Sequence, residues 1–201
     1  MELKIKIEEI HYSDVAAMAM PMLGKSFSNR ADAVAMAATT VSRLPERLVR
    51  ELFDEITDRQ MSVILSAFAM ENKYKIISAV NKLSAKNGFG VTIADFVMTP
   101  QLEIRVKIGE IDYPCIVERF LPMIKEKLMG MGGAVALLRP VIRNASPDQV
   151  CSLLDHLLGK NKEEFIVALV NQYAAKLVSA IDDFAAKQNI HLKVGGLQAY
   201  D

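Results

Sequence analysis

Several groups of residues in this chain have side chains suited to chemistry, and most fail on spacing. Gly24-Lys25-Ser26 has the ending of a phosphate-binding loop, in which backbone N–H groups cradle phosphates and lysine adds charge. That loop needs a glycine five positions before Gly24, where Ala19 stands, and a strand before it, where a helix is expected. Met18, Met20 and Met22 offer the soft thioethers that suit Cu(I). Residues two apart on a helix do not share a face, so these methionines read as adaptable core filling. His11, His156 and His191 fall on three different elements and in no metal-ligand spacing.

The acidic pairs Glu8-Glu9, Glu163-Glu164 and Asp182-Asp183 do not converge within their own elements. Arg47, Arg50, Glu51, Asp54 and Glu55 stand at helical i,i+4 spacing, the pattern of a solvated helix face. Neither a Gly-x-Ser-x-Gly elbow nor a Cys/His nucleophile pair is evident. The expectation is therefore no catalytic residue, no cofactor and no metal ligand, and a reading that leans away from an enzyme.

Two features survive that sieve. The loop Met129-Gly130-Met131-Gly132-Gly133 leads into a helix, where exposed N–H groups can receive an anion, but it reads first as a turn between antiparallel helices. The second is a basic row, Lys4, Lys6, Arg105, Lys107, His191 and Lys193, diluted by Glu2, Glu8 and Glu103. On one face of a sheet these residues either guard a solvated surface or meet a partner. The partner expected is a second copy of the chain or another protein. Nucleic acid is disfavoured because no aromatic residues are interleaved with the basic ones.

The elements that must position these residues follow from a repetition. Residues 3 to 24, LKIKIEEIHYSDVAAMAMPMLG, correspond to residues 104 to 125, IRVKIGEIDYPCIVERFLPMIK, and the offset of 101 holds without a gap to the C-terminus. Residues 1–100 thus form a first repeat and 101–201 a second. Lys plus Arg (24) equals Asp plus Glu (24), so no net field steers the chain to nucleic acid or an acidic membrane. Cys115 and Cys151 stand in no metal or redox spacing and are expected to be buried free thiols, which points to a reducing compartment. No apolar run approaches the ~18 residues that span a bilayer, and MELKIKIEEI lacks a signal-peptide core, so a cytoplasmic location is expected.

Each repeat opens with strict alternation. Leu3, Ile5 and Ile7 oppose Lys4, Lys6 and Glu8; Ile104, Val106 and Ile108 oppose Glu103, Arg105 and Lys107. This period of two marks a sheet buried on one face. Four helices should follow. The first is capped by Ser13 or Asp14 in one copy and by Asp112 in the other, with Pro21 and Pro122 placed late, to kink or end it. The second covers 31 to 43 and 134 to 144. The third starts near Pro45 and at Ser146-Pro147-Asp148-Gln149, a capping box, and ends at Gly159 in the second copy. The fourth is a single long helix over 60 to 86 and 162 to 187, with Asn87-Gly88 ending the first.

A last strand closes each copy, and only Met98-Thr99-Pro100-Gln101 joins them, which suits a hairpin. The fold class expected is α+β and helix-rich: a duplicated β-α-α-α-α-β unit, its strands in one antiparallel or mixed four-stranded sheet with helices on one face, packed as a pseudo-two-fold domain. Two small domains with separate ribbons are the alternative. Tyr12, Tyr113, Glu9 and Glu110, identical in both copies, are assigned to the fold. Function is expected to be binding or assembly, with a small-molecule pocket or enzyme site between the repeats as the competing reading.

Overall fold

The computed structural model describes residues 1–15, 43–54 and 58–201. The Gly24-Lys25-Ser26 and Met18 to Met22 motifs, Pro21 and nearly all of the helix expected over 31 to 43 lie outside the described residues. The architecture is α+β, with one four-stranded sheet in the order β2-β3-β1-β4 and every neighbour antiparallel. The strands are β1 (Glu2–Ile10), β2 (Val91–Met98), β3 (Glu103–Ile111) and β4 (Leu192–Tyr200). A single shared sheet replaces the alternative of two separate ribbons.

The hairpin between β2 and β3 is closed by Thr99, whose N–H donates to the Glu103 carbonyl, and by Leu102 at a left-handed φ of 58°. The central pair β1–β3 sets Leu3 opposite Val106, Lys4 opposite Arg105 and Ile5 opposite Ile104. One face therefore carries the aliphatic side chains and the other the charges.

The described helices are α1 (Glu46–Asp54), α2 (Asp58–Glu71), α3 (Lys73–Lys86), α4 (Tyr113–Gly130), α5 (Ala134–Leu137), α6 (Arg139–Asn144), α7 (Pro147–Leu158), α8 (Lys162–Gln172) and α9 (Ala174–Lys187). Those that meet the sheet pack on its aliphatic face: α2 and α3 through Leu65, Ala69, Ile76 and Ile77 against Phe96, Met98 and Val106, and α4 and α8 through Ile116, Ile166 and Leu169. Ile124, Leu128, Ile142, Val117 and Val150 are fully buried where α4, α6 and α7 meet.

Capping explains several boundaries. Asp112 accepts the Cys115 N–H at the start of α4, Ser146 and Gln149 form the reciprocal box of α7, and Gly159, at φ 49°, ends it. Pro122 lies inside α4, which continues past it, with non-helical backbone at Phe120 (φ −110°, ψ 22°).

The single long helix expected in each copy is instead two. α2 gives way to α3 at Asn72, and α8 to α9 at Tyr173, where the chain turns by 68°. The break lets α8 reach the end of β4 while α9 runs along that strand. The helix expected over 134 to 144 is likewise interrupted at Leu138, just before Pro140.

The two outer strand pairs are irregular in the same way. Ile93 opposite Ile108 and Val194 opposite Ile7 mark the same register irregularity on the two sides of the sheet. Both edge strands are clamped from the helices above. Asn81 donates to the Ile93 carbonyl and accepts its N–H, while Asp182 accepts the Val194 N–H. Asn171 holds both backbone groups of Ala199, and the Met70 sulfur takes the Met98 N–H at 3.4 Å. Unpaired edge groups are templates for aggregation, and these side chains occupy them.

Candidate functional site

The break at Tyr173 leaves space beneath it. A cavity of about 190 Å³ lies on the aliphatic face of the sheet, floored by Leu3, Val91, Ile108 and Ile111 and walled by residues of α4, α8 and α9, among them Phe120, Met123, Val170 and Leu177. Phe89 and Met1 complete it, so both halves of the chain contribute. Its lining is wholly apolar. Tyr173 presents its ring to the cavity and sends its hydroxyl away, to donate to Glu126 at 2.5 Å. That hydrogen bond to a carboxylate, with burial, holds the Tyr173 pKa above the usual tyrosine value. The volume is enough for a small aromatic molecule, since an enclosed engineered cavity of about 150 Å³ lined by similar side chains takes up benzene, whereas this one is partly open to solvent.

A second cluster forms where β1 ends and β4 begins. Antiparallel pairing of Ile10 with Leu192 places His11 beside His191, and the His11 N–H donates to the His191 carbonyl at 2.9 Å. Their rings lie 5.0 Å apart, centroid to centroid. Asp14, in the helical turn that begins at Tyr12, is buried and accepts both the backbone N–H of His191 (3.0 Å) and a hydrogen bond with its Nδ1 (2.6 Å). Glu9, Asp182, Asp183 and Lys193 line the adjoining groove.

In the other half the same backbone contact runs from the Asp112 N–H to the Gly90 carbonyl, at 2.7 Å. There Gly90, with φ 66°, lies so close to Cys115 that a Cβ would sit 2.8 Å from the cysteine's own Cβ. One corner is thus packed shut on a glycine, while its counterpart carries a histidine.

The basic row divides. Lys4, Lys6, Arg105 and Lys107 share the outer face of β1 and β3. Lys4 and Arg105 both turn to Glu103, at 2.7 and 2.9 Å, and Lys193 pairs with Glu8 at 3.3 Å. The two cations hold the Glu103 carboxyl below the usual carboxylate range. His191 leaves the row, since it precedes β4 and turns to Asp14.

Of the Met129 to Gly133 segment, Met129 and Gly130 end α4 and Met131 to Gly133 make the turn to α5: Gly133 takes φ 64° ahead of a helix of only four residues, and Arg139 donates to the Met129 carbonyl. Cys115 and Cys151 are free thiols, but half-buried rather than buried. Cys115 approaches the Gly88 carbonyl, and burial raises the Cys151 pKa. Tyr12 is buried, whereas Tyr113 is half-buried beneath the Lys162 ammonium. Among the described residues, no single helix is long and apolar enough to cross a membrane.

In the sequence Ile116, Phe120 and Met123, and likewise Tyr173 and Leu177, stand at helical spacing as apolar stripes, which does not show the space between them. Sequence reasoning also missed the histidine pair, whose signal was position: one histidine just after the first strand, the other just before the last. The chain matches no protein-family model, no curated protein and no solved structure.

Proposed function

We propose that this chain is a non-enzymatic binding protein whose ligand is a small apolar molecule held between the sheet and helices α4, α8 and α9. The observation that carries the reading is the cavity itself: about 190 Å³, lined by apolar groups alone and built from both halves. The cavity is partly open to solvent, so a ligand that fills it takes apolar wall out of contact with water, a gain of about 25 cal/mol per Å². With no polar group turned into the space, selectivity rests on size and on rejection of anything that needs a hydrogen bond.

The scaffold in this reading is a duplicated β-α-α-α-α-β unit. Its support is the common offset of 101 in the register irregularities and in the clamps at Ile93 and Val194. Assembly through the outer sheet face has weaker support, because Lys4 and Arg105 are already turned to Glu103.

Thermal unfolding with an added series of toluene, ethylbenzene, naphthalene and phenol tests the ligand class. Toluene should raise the melting temperature. Naphthalene, which is also smaller than the cavity, should do the same, whereas phenol should fail on its unpaired hydroxyl. A protein that none of the four stabilises has no such binding function.

A further inference from the structure

We propose that His11 and His191 form a binding site for a divalent transition-metal ion, with Asp14 as the positioning residue behind His191. One ligand-competent atom from each of the three lies within 4.8 Å of the others. The two imidazoles are the exposed members of the set, while the Asp14 side chain is only 4% exposed. Asp14 holds His191 twice, through the backbone N–H and through Nδ1. With Nδ1–H donated to a carboxylate, the proton is fixed on that nitrogen and Nε2 keeps its lone pair for a metal. Metal-binding histidines have this arrangement, in which the carboxylate also raises the basicity of the ring.

His11 supplies the second imidazole, and Glu9, with Oε1 3.8 Å from its Nε2, stands ready as an oxygen ligand. Ligands about 3.3 Å apart suit a tetrahedral ion with metal–nitrogen bonds of about 2.0 Å. The His11 side chain is exposed, and metal binding requires its ring to turn toward that spacing. Two imidazoles with carboxylate oxygen select zinc, copper or nickel over magnesium and calcium, which prefer all-oxygen sets. The acids Asp182 and Asp183 in the same groove add an attractive field for a cation. This site shares no lining residue with the apolar cavity, so either proposal stands or falls without the other.

Titration of chelator-treated protein with zinc chloride, followed by calorimetry, tests the assignment. One equivalent should bind. His11→Ala and His191→Ala should each lower the affinity at least about tenfold, and Asp14→Asn, which keeps both rings, about tenfold. The two histidine variants decide the matter because both side chains are exposed, and circular dichroism should show their fold unchanged. Absence of stoichiometric zinc binding, or binding of equal strength in the His11→Ala/His191→Ala double variant, overturns the proposal.

Discussion

Asn171 holds Ala199 by both of its backbone groups, donating its amide N–H to the carbonyl at 2.9 Å and accepting the N–H at 2.7 Å. The contact ties α8 to the free edge of β4, much as Asn81 ties α3 to β2 at Ile93. It fixes the height of α8 above the sheet, and so helps set the space under Tyr173.

Replacement of Asn171 by leucine removes both hydrogen bonds while preserving side-chain size. A loss of about 2 kcal/mol or more is expected, since Ala199 is buried and both of its backbone groups would lose their partner. Faster hydrogen exchange at the Ala199 amide checks it, with the Ile93 amide unchanged in the same protein.

Gly90 tests the closed corner. A Cβ there meets Cys115 at 2.8 Å on a backbone with φ 66°, so Gly90→Ala combines strain with a clash. It should destabilise by more than about 1 kcal/mol in urea unfolding, whereas Gly88→Ala, which meets nothing within 4 Å, should suffer only from its own φ of 61°.

Glu103 gives a pH dependence with a definite sign. Its folded-state pKa is depressed by Lys4 and then Arg105, so the unfolded chain takes up the proton first as the solution is acidified. The stabilisation is full above the ordinary glutamate value of about 4.3 and is lost as pH falls through the lower folded value. Glu103→Gln should therefore flatten the acid limb of a stability–pH curve and leave its slope near pH 7 unchanged.

Ile124 and Leu128, both fully buried in the interior of α4, test the core of the second half. Truncation of either to alanine should cost about 3 kcal/mol. Equilibrium denaturation measures it, with an unchanged m-value showing that the two-state transition is kept.

Alternation in Leu3, Ile5 and Ile7 and in Ile104, Val106 and Ile108 was enough to read the sheet, its buried face and its hairpin, because side-chain direction in a strand has a fixed period. Ser146, Asp112 and Gly159 marked helix ends through local backbone groups. The breaks at Asn72 and Tyr173 were not legible: apolar spacing runs on through both, and the break answers to where α8 and α9 must dock. The His11–His191 contact depends on strands at opposite ends of the chain meeting, which no local pattern records. The ion pairs of Glu103 were equally hidden, since composition showed a basic row and only the register showed how it is neutralised.

The central claim is most directly tested by methyl-resolved NMR of the protein titrated with toluene, beside a Val170→Phe variant in which a phenyl ring takes up part of the cavity. Saturable one-to-one shifts are expected at the Met123, Ile108, Ile116 and Leu169 methyl groups, and their loss in Val170→Phe at the same toluene concentration. Shifts of equal size in both proteins, or shifts confined to exposed methyl groups such as those of Leu137 and Val141, would contradict it.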